Sequence, residues 1–376
     1  MIKVLILDSQ KIYGGGQKFY LDIIEHLDRE RFTFSVSSPL NSPVHKIASE
    51  KKIEFIPFTP KSRFDILGMI KFAKSIIKSG CDIIVGTDSI TWYTTAIIRY
   101  FSKSIRLVSI VHISTLGTGK KFGKFKRKII QIVDRWWIDK NNKVIVSSKW
   151  HYDIYVSEGI KKDKLALIYN AVNYKVIRSK VSNENIQEIK DKYKIDKDKK
   201  IVGMIGRFGP GKDFENFIES MPLILKRYKD VQFVLVGDGP YNKKLRNLCV
   251  KLNIENTVVF TGFVFDDYYN LLNLFDIFVN STDAEGISYA VLDAMSLQKP
   301  LVATHIGGIE DAVKDGVNGI LVPVKKPDSL AKAVVDLLNN KMKCEEFGKN
   351  SEIILNESFS LSVMISKIEN LFLGLF

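Results

Sequence analysis

The sequence is poor in cysteine and contains no long apolar run. Its three cysteines, Cys81, Cys249 and Cys344, are scattered without the spacing of a metal site, which is typical of reduced structural thiols in a cytosolic protein. No apolar stretch approaches the roughly 18 residues needed to cross a bilayer. The run Ile2–Leu7 is too short for the apolar core of a signal peptide and is predicted to be a first strand. We therefore expect a cytoplasmic protein.

Several familiar motifs are also missing. The glycine loop at residues 14–16 follows the first predicted strand, but Phe19 stands where the dinucleotide-binding fingerprint has its third glycine. The loop also lacks the Gly-Lys-Ser/Thr ending of a P-loop. No Asp-x-Asp pair follows a predicted strand, since Asp196 and Asp198 lie in a polar segment. These absences argue against a dehydrogenase and an NTPase, and we expect no bound metal ion.

Charge is distributed unevenly along the 376 residues. Residues 1–180 contain 32 Lys and Arg against 15 Asp and Glu, whereas residues 181–376 contain 24 against 27. A basic first half indicates an anionic surface or substrate for that half only. The alternative explanation is a generally lysine-rich proteome.

Short β-branched runs alternate with helical stretches, which predicts parallel sheets covered by helices. The alternation of strands and helices stops in a polar segment and then begins again. We expect an α/β protein with two Rossmann-like, doubly wound parallel-sheet domains facing across a cleft. The predicted divisions are a first domain at 1–175, a linker at 176–199, a second domain at 200–358, and a C-terminal helix at 359–376 that packs back on the first domain.

Two carboxylates stand out in the second half. Glu285 and Asp293 lie eight residues apart, with a glycine after the first and an apolar helical pattern between them. A helix over residues 287–298 would direct the open N–H groups near Gly286, Ile287 and Ser288 at an anion. Eight residues of helix separate the carboxylates by roughly 12 Å. This distance matches the span from the sugar to the ribose of a nucleotide sugar.

Further candidate ligands follow other predicted strands of the second half. Arg207 and Lys212 lie in the glycine-rich run G-R-F-G-P-G-K, where both could reach one phosphate group. The alternative is two solvated surface cations. Gly237 and Val264 belong to the segments V-G-D-G-P and T-G-F-V, which end the next two strands and predict a wall against which a base could stack.

Together these motifs resemble the glycogen-synthase-like family of retaining glycosyltransferases, the glycosyl transferases group 1 and family 4. The run E-G-I-S-Y-A-V-L-D-A-M, followed by K-P-L-V-A-T-H-I-G-G-I-E-D-A-V, is similar to the family's donor-site region. The early glycine loop, V-G-D-G-P, F-T-G-F and I-Y-N-A-V-N extend the likeness over nearly the whole chain. The resemblance implies the GT-B fold, with residues 1–175 as the acceptor-side domain and residues 200–358 as the nucleotide-sugar-binding domain.

The resemblance also implies roles for matching positions. Arg207 and Lys212 would bind the donor diphosphate, and Glu285 would accept hydrogen bonds from the sugar hydroxyls. Asp293 replaces a glutamate that binds the ribose, so its carboxylate is one methylene short. His112, at the end of a strand, would orient the donor sugar. The residues expected to act in catalysis are His112, Glu285, Arg207 and Lys212. Those expected to bind the donor are Gly15, Gly16, Arg207, Lys212, Gly237, Val264, Glu285, Gly286, Ile287, Ser288 and Asp293.

The resulting hypothesis is a retaining enzyme that needs no metal and no cofactor. It would move a hexose or N-acetylhexosamine from a nucleotide diphosphate sugar, with UDP expected, to a glycan or lipid-linked acceptor in surface polysaccharide or glycoconjugate synthesis. The alternatives are a GT-B-like nucleotide-sugar epimerase and a basic module that binds nucleic acid or membrane. We expect no nucleic-acid partner.

A basic segment provides a second expectation about partners. Six cations fall between Lys120 and Lys128, interleaved with Phe122 and Phe125 and followed by an apolar helical run. Such a segment could bind an anionic membrane surface at the inner face of the cell membrane. The alternative is a helix over Ile129–Trp137 that packs in the core after a solvated basic loop.

Overall fold

The computed structural model describes residues 1–112, 124–182 and 186–376. The chain forms two compact units. The first combines Met1–Asn170 with Ser362–Phe376, and the second is Ala171–Leu361. The chain therefore leaves the first unit, builds the second, and returns.

The first unit contains a seven-stranded parallel sheet in the order β3-β2-β1-β4-β5-β6-β7. Its strands are β1 (Ile2–Leu7), β2 (Phe32–Ser38), β3 (Glu54–Pro57), β4 (Ile83–Gly86), β5 (Arg106–Val111), β6 (Lys143–Val146) and β7 (Leu165–Leu167). In the central register, Val4 of β1 pairs with Phe34 on one side and Ile83 on the other. Strand order reverses at β1, as a doubly wound sheet requires.

Helices cover both faces of this sheet. They are α1 (Gly15–His26), α2 (Pro43–Glu50), α3 (Ile66–Ile77), α4 (Ser89–Phe101), α5 (Lys124–Lys140) and α6 (Lys149–Ser157), with a 3-10 turn at Lys162–Lys164. Because parallel crossovers are right-handed, α1 and α2 lie on one face and α3 to α6 on the other. A last helix, α16 (Leu361–Leu373), closes the unit: its Phe372 ring lies 6.1 Å from that of Phe32.

The second unit contains a six-stranded parallel sheet in the order β10-β9-β8-β11-β12-β13. Its strands are β8 (Lys200–Ile205), β9 (Val231–Val236), β10 (Val258–Gly262), β11 (Ile277–Asn280), β12 (Leu301–Thr304) and β13 (Gly319–Val322). Its helices are α7 (Tyr174–Ser179), α8 (Ile186–Tyr193), α9 (Phe214–Leu225), α10 (Asn242–Lys251), α11 (Tyr268–Asn273), α12 (Tyr289–Ser296), α13 (Ile309–Ala312), α14 (Pro327–Leu338) and α15 (Lys341–Ile354). Short turns of 3-10 and π helix occupy Glu255–Thr257 and Leu355–Phe359.

Burial explains why these segments adopt strands. All six residues of β9 are buried, which is typical of a central strand with helices on both faces. The core of the second unit joins such strands to aromatic side chains of α9, including Phe214 and Phe217. Loops therefore remain at the carboxyl edge of the sheet, where the motif residues lie.

Several elements differ from the sequence-based expectation. Helices α2 and α4 were not expected, and residues 176–199 include the end of α7 and all of α8. The donor-side helix α12 begins at Tyr289 rather than Ile287, because Ser288 has extended backbone angles and acts as its N-cap. Residues 117–123 of the basic segment lie outside the described residues. Within the described chain, no helix combines the length and apolarity required to cross a membrane.

Candidate functional site

Lys212 and Glu285 meet in an ion pair at the carboxyl edge of the second sheet. The Lys212 ammonium donates a hydrogen bond to Oε1 of Glu285, and both side chains are about three-quarters buried. The other carboxylate oxygen, Oε2, is enclosed and has no hydrogen-bond partner among the described residues. An enclosed carboxylate oxygen of this kind is a ready acceptor for a ligand hydroxyl.

The loop that contains Lys212 is tied to the loop that contains Glu285. The N–H of Asp283 donates to the carbonyl of Gly211 at 3.0 Å, and the Thr282 hydroxyl donates to the same carbonyl. The Ser281 hydroxyl donates to the carbonyl of Asp213 at 2.7 Å. These bonds fix the ammonium and the carboxylate relative to each other, although they lie 73 residues apart in sequence.

Gly308 lies against the loop of residues 281–288 that contains Glu285, which we call the acidic loop. A Cβ atom built on Gly308 would lie 2.4 Å from the carbonyl carbon of Gly286, which is closer than real Cβ contacts allow. Gly286, Ile287 and Ser288 are buried. The missing Cβ of Gly308 therefore lets this loop pass close to the segment that follows β12.

The acidic loop leads into α12, whose N-terminus brings the positive end of a helix dipole to the same place. The fifth residue of α12 is a buried carboxylate, Asp293, with 6% of its surface exposed. The Tyr268 hydroxyl of α11 donates to Oδ2 of Asp293 at 2.9 Å. Burial and then the negative charge of Asp293 raise the pKa of Tyr268 well above its usual range, so the hydroxyl remains a donor.

Three strand ends of the second unit, those of β8, β9 and β10, carry glycines that lie against one another. Gly237 has φ +137°, and a Cβ there would lie 1.9 Å from the carbonyl oxygen of Gly206. The N–H of Gly237 donates to the carbonyl of Gly262 at 3.0 Å, so the ends of β8, β9 and β10 are in direct backbone contact. Val264 is buried just beyond them, and the Arg207 side chain is exposed at the end of β8.

In the first unit, His112 follows β5 and contacts the start of α1. A Cβ built on Gly16 would lie 3.3 Å from Cδ2 of His112, so the glycine leaves room for the imidazole. The ring of Phe19 packs edge-on against it, with centroids 5.1 Å apart. Gly15 is the first residue of α1, one position before this contact.

The surroundings of His112 keep its imidazole neutral. Burial, and then the nearby His151, lower the pKa of His112 to about 4, while a hydrogen bond with Asn170 opposes the shift. Burial also lowers the pKa of His151 to about 4, and its Nδ1 lies 2.8 Å from Oγ of Ser148. Nε2 of His112 is enclosed without a hydrogen-bond partner among the described residues. A neutral imidazole can offer that atom to a ligand.

A buried carboxylate supports the glycine loop. Asp8 follows β1 and is fully buried. It accepts hydrogen bonds from the Tyr20 hydroxyl at 2.7 Å, from Nε2 of Gln17 at 3.2 Å, and from the N–H of Gln10 at 3.1 Å. Burial is the main reason why the pKa of Asp8 rises to about 6, and the nearby Asp88 raises it further. The strand end and the first turns of α1 are thereby locked together.

The structure thus brings most of the sequence candidates together within each unit. Lys212, Glu285, Gly286, Ile287 and Ser288 share one cluster, and Gly16 contacts His112. Sequence reasoning missed Asp8, His151, Asn170 and Tyr268. Asn170 had a signal, since it is the third residue of the I-Y-N-A-V-N motif and lies three residues after the end of β7. The other three had no motif of their own.

Two family models match successive parts of the chain. The model described as Glycosyltransferase Family 4 matches residues 13–176, and the model described as Glycosyl transferases group 1 matches residues 185–353. The protein belongs to the group 1 glycosyltransferases, and its two parallel α/β units have the GT-B fold. The sequence-based expectations of family and fold are confirmed.

Individual relatives and structures agree with this assignment. The α-D-kanosaminyltransferase of Streptomyces kanamyceticus is 30% identical over 176 residues, which is 46% of this chain and 45% of that enzyme. The UDP-Gal:α-D-GlcNAc-diphosphoundecaprenol α-1,3-galactosyltransferase of Escherichia coli is 23% identical over 386 residues, covering 100% of this chain and 97% of its own length. The Anabaena protein Alr3699/HepE, solved in complex with UDP and glucose, is 22% identical, covers 99% of both chains and has a TM-score of 0.84.

Proposed function

We propose that this glycosyltransferase moves a hexose or N-acetylhexosamine from a UDP-linked donor to a glycan or lipid-linked acceptor, with retention of anomeric configuration and without a metal ion. The observation that carries the proposal is the Lys212–Glu285 pair at the N-terminus of α12. It combines a cation for a diphosphate with an enclosed acceptor oxygen for a sugar hydroxyl.

Departure of the nucleotide diphosphate requires stabilisation of negative charge. In this proposal Lys212 supplies a point charge and Arg207 a planar guanidinium. The dipole of α12 adds a fixed positive potential. Such pre-oriented charges stabilise a developing anion without reorganisation. Because Lys212 already binds Glu285, the incoming phosphate shares the ammonium with that carboxylate.

Sugar recognition is assigned to a carboxylate, Glu285, and a neutral imidazole, His112. Glu285 Oε2 accepts a hydrogen bond from a donor-sugar hydroxyl, and the neutral His112 imidazole orients the sugar through Nε2. Its lowered pKa, about 4, keeps His112 uncharged at neutral pH. The role proposed for His112 is therefore orientation rather than strong base catalysis.

The bond-making step is proposed to occur on one face of the sugar. The bond between the anomeric carbon and the leaving phosphate oxygen breaks, the acceptor hydroxyl oxygen bonds to the same face of that carbon, and its proton passes to the departing phosphate. No general base of this chain is assigned. This route requires only positioning and charge stabilisation from the protein.

The acceptor class follows from the charge of the first half and from one relative. The E. coli relative is a transferase for a diphosphoundecaprenol-linked sugar. The excess of cations in residues 1–180 is complementary to a diphosphate-bearing lipid carrier. Synthesis of a surface polysaccharide or glycoconjugate is the setting that we propose.

The test uses a matched pair of ion-pair variants. Lys212→Ala and Glu285→Gln are compared with Lys244→Ala and Glu215→Gln, which remove a surface ion pair of 2.7 Å in the same unit. UDP-sugars are screened by thermal stabilisation, and transfer to undecaprenyl-diphosphate-linked acceptors is followed with and without EDTA. We expect the first pair to lower kcat/KM by about 100-fold or more, the second to leave it unchanged, and EDTA to have no effect.

Full activity in both site variants would contradict the proposed site. Release of an altered nucleotide sugar without acceptor would favour an epimerase, and salt-sensitive nucleic-acid binding with no UDP-sugar affinity would favour a basic binding module. The anomeric configuration of the product, measured by NMR, tests retention separately. Loss of activity in EDTA that Mg²⁺ or Mn²⁺ restores would overturn metal independence alone.

A further inference from the structure

Seven large apolar side chains are exposed along three neighbouring helices of the first unit. They lie just before or within α3, at the end of α4, and along α5. The set is Phe64, Ile66, Leu67, Tyr100, Phe101, Ile129 and Ile132. Phe64 and Leu67 are 78% and 73% exposed. A soluble surface rarely carries so many large apolar groups together unless something covers them.

Side-chain contacts link the second half of α3 to the end of α4, and the end of α4 to α5, and we call the outer surface of these three helices the α3–α5 face. The Lys74 ammonium of α3 lies 5.1 Å from the centre of the Phe101 ring of α4. The indole N–H of Trp136 in α5 donates to the Tyr100 hydroxyl at 3.0 Å. Ile129 and Ile132 precede Trp136 by seven and four positions, so they share its side of α5.

The charges on the α3–α5 face are mostly positive. Helices α3 and α4 contain Lys71, Lys74 and Arg99 and no acidic residue, while Asp65 caps the N-terminus of α3 and α5 contains two acids, Asp134 and Asp139, among six cations. In α3, exposed Leu67, Lys71 and Lys74 follow one another at helical spacing, so an apolar end leads into a row of lysines. Lysine stems can lie along apolar material while their ammonium groups reach an anionic layer.

The apolar end of the face lies at a defined edge of the sheet. In parallel α/β units the helix N-termini lie at the carboxyl edge of the strands. The segment 64–67 at the start of α3 is therefore at the same edge as Gly16, at the start of α1, and His112, after β5. A surface bound there would be near the residues of the first unit that we assign to the reaction.

We propose that the α3–α5 face seats this protein on an anionic phospholipid bilayer, with Phe64, Ile66 and Leu67 entering the headgroup layer and the lysines pairing with lipid phosphates. Aromatic and aliphatic groups combined with cations and few acids are what such an interface selects. A protein partner would more commonly meet balanced charge. The inference does not depend on the identity of the donor, because binding is measured without donor or acceptor.

The experiment is co-sedimentation of the full chain with vesicles. Equimolar phosphatidylglycerol and phosphatidylcholine are compared with phosphatidylcholine alone, at low and at high salt. We expect the anionic vesicles to bind the protein, Phe64→Ser with Leu67→Ser to lower the partition coefficient about tenfold, and Lys71→Glu with Lys74→Glu to lower it by about as much only at low salt. The control is Met342→Ser with Val250→Ser, which removes two exposed apolar side chains from the second unit.

Two outcomes would overturn the proposal. One is equal sedimentation of the wild type, the α3 variants and the control with anionic vesicles. The other is concentration-dependent dimerisation, measured by analytical ultracentrifugation, that Phe64→Ser with Leu67→Ser abolishes, because it would assign the face to a second copy. Circular dichroism of each variant separates these outcomes from loss of folding.

Discussion

The Tyr268 hydroxyl donates a 2.9 Å hydrogen bond to Oδ2 of Asp293 and thereby joins α11 to the donor-side helix α12. Asp293 occupies the position at which the family resemblance implies a longer glutamate. The tyrosine holds the shorter carboxylate at a fixed orientation. Within the proposed function, Tyr268 is a positioning residue for the nucleotide.

Tyr268→Phe removes that hydrogen bond while keeping the ring. We expect KM for the UDP-sugar to rise about fivefold with kcat within a factor of two, since one net hydrogen bond of about 1 kcal/mol orients a binding group and not the reacting atoms. Initial-rate kinetics measure this split. Tyr228→Phe, a partly buried tyrosine of the same unit, is the control. A purely structural role would instead lower the free energy of unfolding and kcat while leaving KM unchanged.

Asp293 and Tyr268 should behave as one unit in a double-mutant cycle. Asp293→Asn alone is expected to raise KM about tenfold, because a neutral amide accepts a ribose hydroxyl less strongly. Adding Tyr268→Phe should raise KM little further, since the partner of the hydroxyl has already changed. Strictly additive effects on binding of UDP, measured by calorimetry, would contradict this coupling.

Gly308→Ala introduces a methyl group 2.4 Å from the backbone of Gly286. We expect activity to fall about tenfold or more and the free energy of unfolding to drop by about 1–3 kcal/mol, because the acidic loop must move. The control variant is Gly203→Ala. Gly203 lies within β8, and a Cβ there would overlap the ring of Phe275. That variant should lose stability while its folded fraction keeps its kcat. Equal specific activity of both folded variants would contradict the special role of Gly308.

Asp8 should make stability depend on pH in a definite direction. Its native pKa, about 6, exceeds the ordinary value of 3.8, so the native state binds the proton more tightly. Well below pH 3.8 both states are protonated, and the cost of burying the charge grows as pH rises from about 4 to about 6, where it approaches about 3 kcal/mol. Asp8→Asn should therefore gain stability relative to the wild type between about pH 4.5 and pH 7.5, as urea unfolding can measure.

Two histidines act in the opposite direction over much of the same range. The native pKa values of His112 and His151, about 4, lie below the ordinary 6.5. The stability that the two neutral histidines contribute to the native state is therefore fully present above pH 6.5 and is lost as pH falls toward 4. The wild-type profile combines both effects. Only the difference between Asp8→Asn and the wild type isolates Asp8, and a difference that stays constant with pH would contradict the prediction.

The alternation of strands and helices and the glycine-marked strand ends were predictable because local pattern determines them. Helix α4 was not, since its sequence is rich in Thr, Ile and aromatic residues that favour strands. The available signal was its capping box, in which Asp88 and Thr91 bond each other's backbone. The later start of α12 follows from the extended backbone of Ser288, which no local pattern records. Asp8 and His151 acquire their surroundings only when separate strands come together.

The return of α16 to the first unit has a consequence for biosynthesis. Ile368 and Phe372 are buried there, and Arg31 pairs with Glu369 at 3.0 Å. On the ribosome, residues 1–170 emerge first but wait for this helix until the whole of residues 171–361 has been translated. The half of the enzyme that is synthesised first is thus the last to be completed, and a nascent chain would expose the unfilled groove beside Phe32 throughout that interval.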